Sequence, residues 1–132
     1  MPSIAILGGG NLGRALAEGW VASGQVDADS VHVTRREVGK LADLDARGFG
    51  VGSDNSAAVR RSDIVVFAVQ PQQLGELVVE VAPVLESRHR VISVVSGAST
   101  AELRRLLGDG VAIVRAMPNT AVSIGESMTC LC

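Results

Sequence analysis

The chain has 132 residues, about one domain's worth, and its 47% hydrophobic residues include only 2% aromatics, so an aliphatic core is available and disorder is excluded. Twelve basic and fourteen acidic residues leave a net charge of −2 with no long basic run, which argues against a general nucleic-acid binder. No apolar stretch reaches the about 18 residues a membrane span needs, and the first apolar run breaks at Gly8 without a signal-type segment, so no membrane partner and a cytoplasmic location are expected.

Residues 3–7 (SIAIL) read as a short buried strand. Residues 11–23 read as a helix, with Leu12, Ala15, Leu16, Gly19 and Trp20 at helical spacing and Gly24 as its stop. Residues 31–33 (VHV) form a second strand, and residues 37–47 a helix with Val38, Leu41 and Leu44 on one face, ended by Gly48. The stretch GVGSDNSAAVRRSD carries a short strand or loop and then a short helix. Residues 64–69 (IVVFAV) are apolar without alternation, as in a strand covered on both faces, and Pro71 ends the run.

A helix over residues 72–85 follows, with Leu74, Leu77, Val78 and Val81 as its apolar stripe. RVISVVS is the next strand, and STAELRRLL opens with a capping box from Ser99 to Glu102 and forms a helix. VAIVR is a strand, AMPNTAVSIGE a loop and SMTCL a final strand. Strands alternating with helices predict an α/β fold of the Rossmann type: a doubly wound, mainly parallel sheet with helices on both faces and strand order 3-2-1-4-5-6. The two cysteines, Cys130 and Cys132, exclude a disulfide framework and have no nearby partner for a metal site. The chain stops on an apolar, strand-like run without a polar tail, so a fragment of a longer protein is expected.

The glycine turn carries the first chemistry. Gly8, Gly9, Gly10, Asn11, Leu12 and Gly13 contain G-x-G-x-x-G directly after a strand and opening a helix. Gly8 would make the tight turn, Gly10 would let the backbone approach a pyrophosphate, and Gly13 would let the helix lie close to the sheet. The helix N-terminus offers unpaired N–H groups and partial positive charge to the anion. A turn that needs only positive φ is the plainer alternative, and it leaves Gly13 unexplained.

An NAD site has an acid about 20 residues past this motif for the ribose 2′-OH. Thr34, Arg35 and Arg36 stand there instead, and Glu37 comes one or two residues late. Guanidinium groups suit the 2′-phosphate of NADP through charge-assisted bonds, so NADPH is favoured and NADH remains possible. Alternatively, both arginines merely start an exposed helix. Three more strand ends point to the same edge: Ala68 to Pro71 (AVQP), Ser96 to Ser99 (SGAS) and Met117 to Thr120 (MPNT). Each alone is compatible with a simple turn; their shared position predicts a common cleft.

With those residues in place, the chain resembles pyrroline-5-carboxylate reductase along its whole length. AILGGGNLGRALAEGWVASG is similar to the family's opening GFIGxGNMGxAxxxGxxxSG, DIVVFAVQPQQL to DxxxxAVKPQxx, and VRAMPNTAVSIGESMT to xRxMPNTPxxxGxGMT. The resemblance implies reduction of 1-pyrroline-5-carboxylate to L-proline, the last step of proline biosynthesis, by an oxidoreductase using NADPH or NADH. It implies that Leu7 to Leu12 cradle the pyrophosphate and that Thr34, Arg35 and Arg36 meet the 2′-phosphate. Asn55 would contact the adenosine side, Ala68, Val69, Gln70 and Pro71 would line the cofactor, and Ser96, Gly97, Met117, Pro118 and Asn119 would frame the nicotinamide end.

Three positions depart from the family pattern. Gln70 replaces a lysine, Ser96 brings a hydroxyl into the usual xxAGV, and Ala121 replaces the proline after MPNT. The resemblance further implies a helical domain beyond residues 1–132 that makes a homo-oligomer and supplies most of the imine site. No side chain within residues 1–132 is an evident general acid. Two rivals remain: another NADP-linked reductase of this fold, deazaflavin-dependent or of the 3-hydroxyacid type, and a non-catalytic nucleotide-binding module.

Overall fold

A computed structural model describes residues 3–8, 10–24, 26–94, 100–107 and 110–115, with residues 11, 12, 100 and 115 described by their backbone only. Six strands, β1 (Ile4–Leu7), β2 (Val31–Thr34), β3 (Gly50–Gly52), β4 (Ile64–Phe67), β5 (Arg90–Ser93) and β6 (Ala112–Arg115), form one sheet in the order β3-β2-β1-β4-β5-β6. Every pairing is parallel, and the register sets Leu7 beside both Thr34 and Phe67. Three strand ends thus come level at one edge.

The period-two alternation of each strand divides the core into two halves. Ile4, Ile6, Val31, Val33, Val66 and Ile92 face α1 (Asn11–Ala22) and α2 (Ala42–Ala46), which contribute Leu16, Ala17, Trp20 and Leu44. Ala5, Leu7, Val65, Phe67 and Val91 face α3 (Asn55–Arg60), α4 (Leu74–Val81) and α5 (Thr100–Leu107), which contribute Ala58, Val59, Leu74, Leu77, Val78, Val81 and Leu103. Side chains as large as Phe67 and Trp20 are wholly buried, each contributing about 1.5–3 kcal/mol of transfer free energy. This is the Rossmann-type architecture expected of the alternating pattern.

Several boundaries differ from the sequence reading. Among the described side chains of α1 the buried ones are Gly13, Leu16, Ala17 and Trp20, whereas Ala15 is exposed. The helix expected over residues 37–47 is a 3-10 turn (Val38–Leu41) followed by the short α2, and Val38 is 40% exposed. One cause is visible: the Lys40 carbonyl accepts a bond from the Arg14 guanidinium (3.2 Å), and Gly39 weakens a helix at that point. The strand over residues 64–69 ends at Phe67, and Pro71 instead opens a 3-10 turn leading into α4. A further 3-10 turn, containing Pro83, ends that helix before Leu85, because proline lacks the N–H a continuing helix needs. The Ser99 capping box, the loop after Arg115, the last expected strand and both cysteines lie outside the described residues. Among the described residues no helix is long and apolar enough to cross a membrane.

Candidate functional site

The turn after β1 is held between two neighbouring strand ends. Gly8 N–H donates to the Thr34 carbonyl (3.2 Å), and Ala68 N–H donates to the Leu7 carbonyl (3.0 Å). Gly8 has φ +114°, and a Cβ there would lie 2.8 Å from the Ala68 carbonyl oxygen, so only glycine fits. A Cβ on Gly13 would lie 2.0 Å from the Gly8 oxygen, so α1 lies directly against the turn. Gly10 differs: it caps α1, and a Cβ there would meet nothing within 4 Å. The cap has no side-chain hydrogen bond and the first turn carries no acid, so among the described residues no side chain neutralises the positive end of α1, and Gly10 borders open space.

That space is a cleft of about 460 Å³ along the carboxyl ends of the strands, within the size range of ligand sites. Gly8 and Gly10 form one wall. Thr34 ends β2 and Arg35, Arg36 and Glu37 follow it, Ser53 and Asn55 follow β3, and Ala68, Val69 and Gln70 follow β4. Gln73, Glu76, Leu77 and Glu80 complete it from α4 and the turn before it.

Hydrogen bonds fix the far end. The buried Thr34 hydroxyl donates to Asn55 Oδ1, and Asn55 Nδ2 donates to Glu80 Oε2 (3.1 Å), which ties β2, α3 and α4 together. Asp54 caps α3 by accepting from Ala57 N–H (3.1 Å) and so sets where Asn55 stands. Arg36 reaches across the cleft to Glu76 Oε2 (3.0 Å). Below the arginine segment, Arg14 donates to the Asp43 carboxylate and to the Lys40 carbonyl (3.2 Å). Their hydrogen bond raises the Arg14 pKa and lowers that of Asp43. This anchors α1 to both ends of the 40–43 stretch that follows Arg35 and Arg36.

Of the residues singled out from sequence, Gly8, Gly10, Thr34, Arg35, Arg36, Asn55, Ala68, Val69 and Gln70 meet in this one cleft. Leu7 is buried in the sheet beneath it, Gly13 is buried against the turn, and Pro71 is exposed beside it. Asn11 and Leu12 lie in the first turn of α1, with only their backbone described. Gly9, Ser96, Gly97, Met117, Pro118 and Asn119 lie outside the described residues. Sequence reasoning missed Ser53, Gln73, Glu76, Leu77 and Glu80. The two glutamates are four residues apart, hence on one helix face, and only the apolar face of α4 had drawn attention.

Known proteins align with this geometry. A pyrroline-5-carboxylate reductase of Dictyostelium discoideum is 44% identical over 97% of this chain and 23% of its own length. A solved pyrroline-5-carboxylate reductase of Coxiella burnetii superposes with a TM-score of 0.84 at 35% identity, over 93% of this chain and 46% of that one. The Plasmodium falciparum pyrroline carboxylate reductase, solved with NADP bound, shares the fold at a TM-score of 0.77 and 22% identity, over 97% of this chain and 52% of its own. The chain thus spans between about a quarter and a half of these relatives. The sequence model of one family, described as NADP oxidoreductase coenzyme F420-dependent, matches residues 3–97, the stretch that holds the glycine turn, the arginines and the end of β4, and this chain belongs to that family.

Proposed function

We propose that this chain is the dinucleotide-binding part of a pyrroline-5-carboxylate reductase, which reduces 1-pyrroline-5-carboxylate to L-proline with NADPH. The observation that carries the reading is the cleft itself: an uncapped helix N-terminus and an open Gly10 at one end, two arginines at the other. Those groups fit a pyrophosphate and a 2′-phosphate respectively. The 44% identity to a named pyrroline-5-carboxylate reductase supplies the reaction.

In this reading Gly8, Gly10 and the first turn of α1 hold the pyrophosphate, Arg35 and Arg36 the 2′-phosphate, and Asn55 the adenosine ribose. Ala68, Val69, Gln70 and Pro71 line the middle, and Ser96, Gly97, Met117, Pro118 and Asn119 frame the nicotinamide end. Bound NADPH supplies a hydride for the imine carbon. The chain's own contribution is placement, through glycines that admit the backbone and strands that hold the walls in register. The proton for the imine nitrogen, the helical domain and the homo-oligomer belong, in this proposal, to residues beyond 132.

The test is turnover by the full protein. NADPH should be oxidised only when pyrroline-5-carboxylate is added, with L-proline as the product. Oxidation that ignores the imine, or none at all, would overturn the assignment. The family description favours one second reading, NADP-linked reduction of coenzyme F420, which the same assay distinguishes by supplying F420 instead of the imine.

A further inference from the structure

The adenosine end of the cleft is not simply cationic. Arg35 and Arg36 share it with Glu37, Glu76 and Glu80. Glu37 is paired with Lys40 (3.2 Å), and Glu80 receives the Asn55 amide (3.1 Å). Glu76 is bonded to Arg36, at 3.0 Å. It stands in the first turn of α4.

We infer that Glu76 sets the discrimination between NADPH and NADH by competing with the 2′-phosphate for Arg36. The inference rests on the reading that Arg35 and Arg36 meet that phosphate. A phosphate arriving at Arg36 must open the Arg36–Glu76 pair and then sit beside a displaced carboxylate of like charge. The pair is 82% and 76% exposed at its two side chains, so opening it is a small effect and the site remains usable. A ribose 2′-hydroxyl meets neither obstacle, since a neutral O–H donates to a carboxylate. Glu76 therefore lowers NADPH affinity without lowering NADH affinity. It stands on α4, two strands away in the sheet from the β2 end where sequence patterns place the discriminating acid.

The test is direct binding to the full protein, by fluorescence titration with NADPH and NADH separately. Glu76→Gln should bind NADPH about two- to fivefold tighter, the range expected for removing one exposed ion pair, with NADH unchanged or slightly weaker. In an Arg36→Ala background, Glu76→Gln should change the NADPH:NADH ratio less than in the wild type, because no Arg36–Glu76 pair remains to be opened and only the like-charge repulsion is relieved. Asp27→Asn, a charge removed from an exposed site before β2, controls for net charge and should leave the ratio unchanged. An unchanged ratio in Glu76→Gln, an equal gain for both cofactors, or the same gain in the Arg36→Ala background overturns the inference. A separate arm tests the underlying reading. If Arg35→Ala with Arg36→Ala weakens both cofactors equally, the arginines do not read the 2′-phosphate and the reading itself fails. If that double variant loses NADPH selectively while Glu76→Gln has no effect, only the role of Glu76 fails.

Discussion

Gly10 and Gly13 lie one helical turn apart and should fail in opposite ways when given a side chain. At Gly10 an added Cβ points into open space, so Gly10→Val should fold, yet its isopropyl group fills the room a pyrophosphate needs. At Gly13 an added Cβ would stand 2.0 Å from a backbone oxygen, so Gly13→Ala should lose at least about 2 kcal/mol of stability through forced displacement of α1. Denaturant unfolding paired with NADPH titration separates the two; a Gly10→Val protein that folds and still binds would remove the turn from the site. His32 behaves differently again. Its ring lies against β3, where a Cβ on Gly50 would be 2.6 Å from Nδ1, and burial first and the Arg61 cation second hold its pKa below the usual value. The folded protein therefore declines a proton that the unfolded chain accepts. Above about pH 6.5 both forms are neutral and the group adds no pH dependence, while below it the unfolded state gains protons and stability falls. Urea midpoints at pH 7.5 and 5.5 should accordingly fall further in the wild type than in His32→Gln, and an equal fall in both would show that His32 is not the source.

At the scale of elements, what could be read from sequence was whatever rests on local periodicity. Five of the six strands and the stripe Leu74, Leu77, Val78 and Val81 follow from apolar runs and helical spacing; the stretch that holds β3 reads equally as strand or loop, and the strand order follows from strands alternating with helices. The breaks did not. Residues 37–47 carry a helical pattern, but Arg14, some 26 positions earlier, takes the Lys40 carbonyl, a tertiary bond that no local window contains. Glu76 and Glu80 escaped for a related reason: a polar helix face looks solvent-directed until the β2 end is seen opposite it. The same α4 offers a test of intrinsic propensity. Gly75 is exposed inside the helix, and a Cβ there would meet nothing within 4 Å. Gly75→Ala should raise stability by about 0.5–1 kcal/mol by reducing the entropy lost on folding. A destabilised Gly75→Ala in denaturant melts would show that helix propensity does not decide at this position.

The whole molecule is polar along its strands. One end of the sheet gathers the glycine turn, the arginines and Asn55; the other holds His32, Arg61, Ser62 and Asp29 around a separate hollow of about 280 Å³. Stability should vary across the sheet in the perpendicular direction. β1 and β4 have strands on both sides and four-residue segments that are nearly all buried, whereas β3 is a three-residue edge strand with two glycines and no fully buried residue. Amide exchange should therefore be slowest in β1 and β4 and fastest among the strands in β3, because local opening costs least where little apolar surface is buried. A bound cofactor adds to this pattern along the other axis. NADPH should slow exchange after β1, after β2 and at the start of α3, since ligand binding suppresses the openings that expose its own contacts. Residues 28–30 and 61–63, at the opposite ends of the strands, should change little beyond any global stabilisation. Protection that appeared first around His32 and Arg61 would place the dinucleotide in the smaller hollow and reverse the polarity on which the functional reading stands.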